Sequence, residues 1–246
     1  MKMKDILKRI YHNIIRAKRF IACRARKISA NYYLWRHNEF SVVSCKDNVG
    51  FKLHDYNKYY EIKCDDVVID AGAHIGLYSL EASRRAIYGK VIAVEPSPIN
   101  YALLKINIKI NNCRNIIPVN IALGDTTGNV ILMLTKSTIG DFVKSSDYLS
   151  QLHRLKDVIG IANVKIDTID NLIRELKLER VDFIKIDVEW FELKVLKGAT
   201  FTLKEMKPRL AVCCEHFYNE PYIVAKFLRK LKYNIKIEGH MVYASP

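Results

Sequence analysis

The sequence predicts an α/β fold built on a doubly wound, mostly parallel sheet, and three observations carry the prediction. From about residue 67 onward, short apolar runs alternate with helix-period segments, the pattern of strands covered on both faces by crossover helices. The run Asp66-Val-Val-Ile-Asp70 feeds a glycine turn, Ala71-Gly-Ala-His-Ile-Gly76, that opens a helix. The last two apolar runs are joined only by Glu238-Gly-His240. That link is too short for a crossover helix, so the chain closes on a terminal antiparallel strand.

At the N-terminus, Ile6, Leu7, Ile10, Tyr11, Ile14 and Ile15 recur at three- and four-residue spacing among Lys2, Lys4, Lys8, Arg9, Arg16, Lys18 and Arg19. This spacing predicts an N-terminal basic amphipathic helix running toward Arg26. Residues 1–40 are read as a basic helical extension and 41–246 as the main domain. Ser41–Ser44 and Gly50–His54 read as a hairpin leading into that domain. The predicted order continues with strand 67–71, helix 75–87, strand 90–95, helix 98–111, strand 115–122 and a hairpin strand at 129–134. Thr135 to Asn163 shows weak periodicity and is expected to be a mobile cover over the site. The alternation resumes with helix 168–178, strand 182–188, helix 190–206 ending before Pro208, strand 209–215 and helix 221–232. Strands 234–238 and 241–244 close the chain.

A chain of 246 residues, half of them hydrophobic, holds one full α/β domain with an appendage. Of the net charge of +14, residues 1–40 carry +9, from eleven Lys or Arg against Asp5 and Glu39. A basic partner surface is therefore expected at the N-terminus. One occupant for residues 1–30 is an anionic membrane surface, contacted peripherally; the alternative is that the helix packs its apolar face on its own domain. Cysteines 23, 45, 64, 113, 213 and 214 form no C-x-x-C pair. They read as reduced, apolar core residues of a cytoplasmic protein, with Cys213 and Cys214 on opposite sheet faces. The sequence has no apolar stretch long enough to span a membrane and no secretory signal pattern.

The glycine turn narrows the ligand. A dinucleotide site needs G-x-G-x-x-G so that the backbone can approach a pyrophosphate, but position 74 is His. No Walker A lysine pattern is present either. A nucleoside without phosphates fits better, and S-adenosyl-L-methionine is the common one. Asp70 would then face its ammonium and sulfonium, and Glu95, at the tip of Val91-Ile-Ala-Val-Glu95, its ribose hydroxyls. The alternative is an ordinary βαβ turn without a ligand.

Further along, Asp182-Phe-Ile-Lys-Ile-Asp-Val-Glu189 ends a strand in acids and runs into Trp190-Phe-Glu-Leu-Lys-Val-Leu-Lys-Gly198-Ala199. Together with Ile121-Ala-Leu-Gly124-Asp125 and Glu215-His216, this order resembles the FkbM family of S-adenosylmethionine-dependent methyltransferases across roughly residues 50–217. The resemblance implies a seven-stranded, class I methyltransferase-like sheet. It also implies a cofactor cradle of Asp70, Gly72, Ala73, His74, Gly76, Glu95, Pro96, Ala122, Leu123 and Asp187. The chain departs from the family at His74, usually Asn, and at Trp190, usually Gly.

Methyl transfer to a hydroxyl requires alignment of the acceptor and removal of its proton. Asp187, Glu189 and His216, at neighbouring strand ends, are the candidate catalytic residues. The two acids admit three arrangements: a base raised by its neighbour, a divalent metal shared with Glu192 or Glu215, or charge placed on a helix first turn. No metal site is assigned. The expected acceptor is a hydroxyl of a sugar, glycolipid or secondary metabolite. An RNA acceptor is the rival enzymatic reading; against it stand the lack of an N-P-P-[YF] tetrapeptide and of an appended RNA module. A non-catalytic membrane-surface protein with a nucleoside fold is the third.

Overall fold

A computed structural model describes residues 26–29, 32–37, 40–44, 55–136, 141–144 and 155–246. The first elements are β1 (Arg26–Ser29), β2 (Tyr32–His37) and β3 (Phe40–Ser44), a small antiparallel sheet. The unit β4 (Val67–Ala71), α1 (Leu77–Arg85), β5 (Lys90–Val94), α2 (Pro98–Ile110), β6 (Ile116–Val119) follows. An inserted sheet comes next: β7 (Ala122–Leu123), β8 (Gly128–Thr135), β9 (Phe142–Val143) and β10 (Val158–Asp167). The second half is α3 (Ile169–Glu175), β11 (Phe183–Ile186), α4 (Glu192–Lys197), α5 (Thr200–Glu205) and β12 (Arg209–Cys213). It ends with α6 (Glu220–Lys230), β13 (Asn234–Glu238) and β14 (Met241–Ser245).

The main sheet has seven strands in the order β13-β14-β12-β11-β4-β5-β6. Every neighbouring pair is parallel except those made by β14, which runs antiparallel to both β12 and β13. The antiparallel strand that ends the chain thus lies inside the sheet, with β13 at its margin. Alternate residues feed two cores. Val68, Val91, Ala93, Phe183, Ala211 and Cys213 pack on one face; Ile69, Ile92, Val94, Ile184, Val212 and Cys214 pack on the other. Cys213 and Cys214 therefore part to opposite faces, as period-two geometry demands. Cys64, by contrast, is exposed and does not belong to either core.

Sequence order moves outward from β4 through β5 to β6, then returns to β11 on the other side of β4. The gap between β4 and β11 is the topological switch point, where the carboxyl ends of doubly wound sheets leave a crevice. The inserted sheet, order β7-β10-β8-β9, has its own core of Ala122, Leu132, Val143, Val164, Ile166 and Phe191. Phe191 is the N-cap residue of α4, so the insert is tied to the segment that follows β11.

Several expected elements differ. Arg26–Ser29 and Tyr32–His37 of the predicted helical extension are strand, because Tyr-Tyr-Leu-Trp is β-favouring and the helical spacing ends near Ile15. The helix itself, residues 1–25, and Gly50–His54 lie outside the described residues. β3 pairs with β2 and is also bound by α2: Asn107 accepts from the Val43 amide at 2.8 Å and donates to its carbonyl, and Asn111 does the same for Ser41. The boundary drawn at residue 40 therefore cuts through a sheet that is fastened to the main domain.

Within the expected cover, Val158–Asn163 is part of β10, a ten-residue strand paired antiparallel with β8. Ile159 and Ile161 point outward at 62% and 65% exposure while Gly160 and Ala162 stand between them. Apolar residues on one face and small ones on the other erase the alternation that marks a strand. Residues 137–140 and 145–154 lie outside the described residues. The predicted helix 190–206 is two helices, broken at Gly198, where a Cβ would come within 1.9 Å of the Gly124 carbonyl oxygen. Among the described residues, no helix is long and apolar enough to cross a membrane.

Candidate active site

The turn after β4 is closed by its own backbone. The amides of Gly72 and Ala73 both donate to the Val94 carbonyl, at 3.0 and 2.9 Å, and the His74 amide donates to Glu95 Oε2 at 2.8 Å. The donors that a pyrophosphate would need are therefore already used, in agreement with the missing second glycine. Gly72, at φ +78°, touches the Asp187 backbone so closely that a Cβ would lie 1.8 Å from its carbonyl oxygen. Gly76, at φ +92°, leaves room for Leu104 of α2. The turn is thus wedged between β5 and the end of β11.

Glu95 sits 5% exposed at the tip of β5. Oε1 accepts from the Ser97 amide at 2.9 Å and the Asn100 side chain at 3.5 Å; Oε2 accepts from His74. Burial pushes its carboxyl up to about 7, against the lowering effect of those amides. Ser97 Oγ and His74 Nε2 are buried polar atoms with no hydrogen-bond partner among the described residues. Burial first, then Lys185, lowers the His74 imidazole to about 4, so it is neutral at physiological pH.

Asp70 departs from expectation. Its carboxylate is fully buried; Oδ2 accepts from Ser79 Oγ at 2.5 Å and Oδ1 lies 2.9 Å from the Lys185 ammonium. A carboxylate neutralised in this way does not offer its charge to a sulfonium. Lys185 also donates to the carbonyls of Ala71 and Gly72, at 3.3 and 2.7 Å, so the Asp70–Lys185 pair anchors the turn from behind. Burial alone would lower the Lys185 ammonium, but Asp70 and Asp187 together outweigh it and hold it above its ordinary value. The sequence did carry a signal for this residue: a lysine inside an apolar strand covered on both faces must have a buried partner.

β11 ends at Ile186, so Asp187 and Glu189 do not share a strand face. Asp187 accepts from the Tyr56 hydroxyl at 2.7 Å. Burial, then Asp187, raises the phenol of Tyr56, which keeps it a donor. Glu189 and Trp190 take left-handed φ values of 56° and 82°. This turn brings Glu189 Oε2 to 3.9 Å from His216 Nε2 and lays the Trp190 ring on the His216 imidazole, centroids 4.8 Å apart and planes at 20°. His74 also has positive φ, at 50°. Both departures from the family pattern thus fall where the backbone favours Gly or Asn.

His216 is enclosed, its side chain 6% exposed, with Nε2 3.7 Å from Glu192 Oε1. Glu192, fully buried on the first turn of α4, accepts from the Val188 amide at 3.2 Å. Glu220, the first residue of α6, accepts from the His216 amide at 3.1 Å. Sequence reasoning missed Tyr56, whose partner Asp187 lies 131 positions away, and also Ser79, Ser97 and Glu220. Ala122 and Leu123, as β7, form the margin of the inserted sheet and pair with β10 on one side only, while Pro96 lies between Glu95 and Ser97. Among the described residues, no group of three or more His, Cys, Asp or Glu side chains is arranged to hold a metal. A cavity of about 350 Å³ beside Tyr56 is walled by the first residues of β11, β12 and β13, and so opens at the opposite margin of the sheet.

Comparison with known proteins places these features in a family. The model of the Methyltransferase FkbM domain matches residues 70–235. Methyltransferase sdnD of Sordaria araneosa is 26% identical over 174 residues, covering 58% of this chain and 67% of the relative. Hexuronic acid methyltransferase AglP of Haloferax volcanii is 27% identical over 177 residues, covering 72% of this chain and 67% of the relative. Among solved structures, methyltransferase FkbM from Methylobacillus flagellatus superposes with a TM-score of 0.58 at 21% identity, over 78% of this chain and 46% of that one. The chain spans about two thirds of those curated relatives and under half of the solved one.

Proposed function

The chain belongs to the FkbM methyltransferase family, and from that membership we propose that it moves a methyl group from S-adenosylmethionine to a hydroxyl of a sugar or sugar-bearing acceptor. The observation that carries the reading is the meeting, at the switch point, of the closed turn 72–76 and Glu95 with Asp187, Glu189 and His216. A relative that acts on hexuronic acid supports a sugar acceptor.

The residues present fit the donor. Glu95 Oε2 accepts one bond and keeps a lone pair, and the Ser97 hydroxyl beside it has no partner; two ribose hydroxyls would satisfy both. Gly72, Ala73, His74 and Gly76 would wall the nucleoside on one side, and Pro96, Ala122 and Leu123 on the other. Asp70 would act through Lys185, by fixing the turn. When bound, S-adenosylmethionine supplies an electrophilic methyl on a sulfonium. His216 would take the proton from the acceptor hydroxyl, leaving the oxygen's electron pair for the new C–O bond. Asp187, steadied by Tyr56, would hold the acceptor or the amino-acid end of the donor, and Glu189 would balance the imidazolium.

The test is calorimetric titration with S-adenosylhomocysteine, together with transfer of labelled methyl to glucuronic acid glycosides. Binding that weakens at least tenfold in Glu95→Ala, and label in the glycosides that is lost in His216→Gln, are expected. Wild-type protein that does not bind the homocysteine compound refutes the donor, and label appearing in bulk tRNA instead of glycosides refutes the acceptor. For residues 1–30, flotation with anionic vesicles tests the membrane contact; binding that survives their deletion removes it.

A further inference from the structure

Glu192 and Glu220 take no direct part in the chemistry above, yet both are buried, at 0% and 4% exposure, and both touch His216. Their carboxyls meet beside that residue, each shifting the other's protonation. Two carboxylates offer only acceptors, so a hydrogen bond between them needs a proton. Glu192 Oε2 accordingly meets no other donor among the described residues. We propose that Glu192 and Glu220 share one buried proton and, through the single negative charge they then carry, hold His216 with its N–H at Nε2 and its lone pair at Nδ1. On the reading of His216 as proton acceptor, Nδ1 is the atom that receives the proton.

The tautomer follows from the charges around the ring. Nε2 has no hydrogen-bond partner, yet Glu192 Oε1 stands 3.7 Å and Glu189 Oε2 3.9 Å from it. A lone pair there would face two carboxylate oxygens; an N–H there is attracted by both. The other groups facing the cluster do not reverse this. Asp187 and Glu189, on the link from β11 to α4, add negative charge, and Glu215 precedes His216 at the end of β12. Burial, then acids of this cluster, push the thiols of Cys213 and Cys214 up and keep them neutral. Lys185 is committed to Asp70. Burial and mutual repulsion raise both carboxyls of the pair, which favours retention of the shared proton. When Nδ1 takes a proton from a hydroxyl, the imidazolium that forms has its second N–H already aimed at this charge, so Glu192 and Glu220 are positioning residues.

Infrared spectra of the whole protein at pH 7.5 should show the carbonyl band of a protonated carboxyl that disappears in both Glu192→Gln and Glu220→Gln; Glu95→Gln identifies any band from Glu95. Nitrogen NMR of histidine-labelled protein, with His216 assigned from His216→Gln, should give a pyrrole-like Nε2 and a pyridine-like Nδ1. Glu192→Gln, whose amide oxygen still accepts, should keep that pattern, and Glu192→Met should lose it. A merely structural carboxyl would not distinguish these two variants. Identical infrared bands in wild type and both glutamine variants, or a pyridine-like Nε2 in the wild type, overturn the proposal. Neither measurement needs donor or acceptor, so failure of S-adenosylhomocysteine binding refutes the donor reading alone.

Discussion

Lys185→Met removes the cation from a buried pair whose side chains are 4% and 0% exposed, 2.9 Å apart. Three things are lost together: the charge opposite Asp70 and the donors to the Ala71 and Gly72 carbonyls. What remains to Asp70 is the Ser79 hydroxyl. Breaking a buried pair by deleting one partner costs about 3–5 kcal/mol, a large share of the roughly 5–15 kcal/mol that holds a domain folded. Methionine keeps the chain length and packing, so the loss measures the ammonium, its charge and its two hydrogen bonds together. Urea unfolding at pH 8 should show it. Adding Asp70→Asn should return about 2–3 kcal/mol, because the stranded charge goes with it. In the wild type, a lysine held above its ordinary value keeps its contribution through neutrality and loses it only as pH climbs past 10.5. A deficit below about 1 kcal/mol, or strictly additive single variants, would refute the claim that this pair anchors the turn.

Gly72→Ala should destabilise by about 3 kcal/mol or more, or prevent folding, since its Cβ meets the Asp187 carbonyl oxygen at 1.8 Å and φ is +78°; a near-wild-type melting temperature contradicts the wedge. Stability should fall from pH 6.5 to about 8.5. Glu95, Glu192 and Glu220 are raised above 4.5 to about 7–8, so their contribution is lost as pH rises through those values. His74, lowered to about 4, acts with the opposite sign but only below 6.5. Glu220→Gln should flatten the slope in urea titrations, and a wild-type curve that rises over this window is inconsistent with buried protons. Trp190→Gly should relieve roughly 1 kcal/mol of left-handed strain yet uncover His216; several-fold faster carbethoxylation of His216 is expected, and an unchanged rate means that the indole is not its lid.

What the sequence revealed follows a physical division. Strands of the main sheet were legible because each is an apolar run bounded by turn residues, and the position of Glu95 and the glycine turn followed from spacing alone. In the inserted sheet β8 was legible as the run at 129–134, but β10 was not, because it mixes outward isoleucines with Gly160 and Ala162. β3 was legible from Ser41 to Ser44, but its partners β1 and β2 were not, and its attachment to α2 depends on Asn107 and Asn111, more than sixty residues away. In the site, the acids were visible but their partners were not. Tyr56 reaches Asp187 across 131 positions of sequence, and Lys185 supports a turn over 110 positions earlier. Roles that a carboxylate takes from its partner cannot be read before the partner is known.

That division bears on how the site works. Of the acids that spacing brought forward, Asp70 is spent on Lys185, Glu95 on the amides of the turn, and Asp187 on Tyr56. Each is fixed before any ligand arrives, so little reorganisation is left for the moment of reaction. The imidazole is the exception: its Nε2 faces acids at 3.7 and 3.9 Å, beyond hydrogen-bond length. On the proposed reading, this frame of committed carboxylates leaves the imidazole of His216 as the group that would take the acceptor's proton. The left-handed turn at Glu189 and Trp190 serves that end, because an extended backbone there would carry the acid and the indole away from the ring they flank.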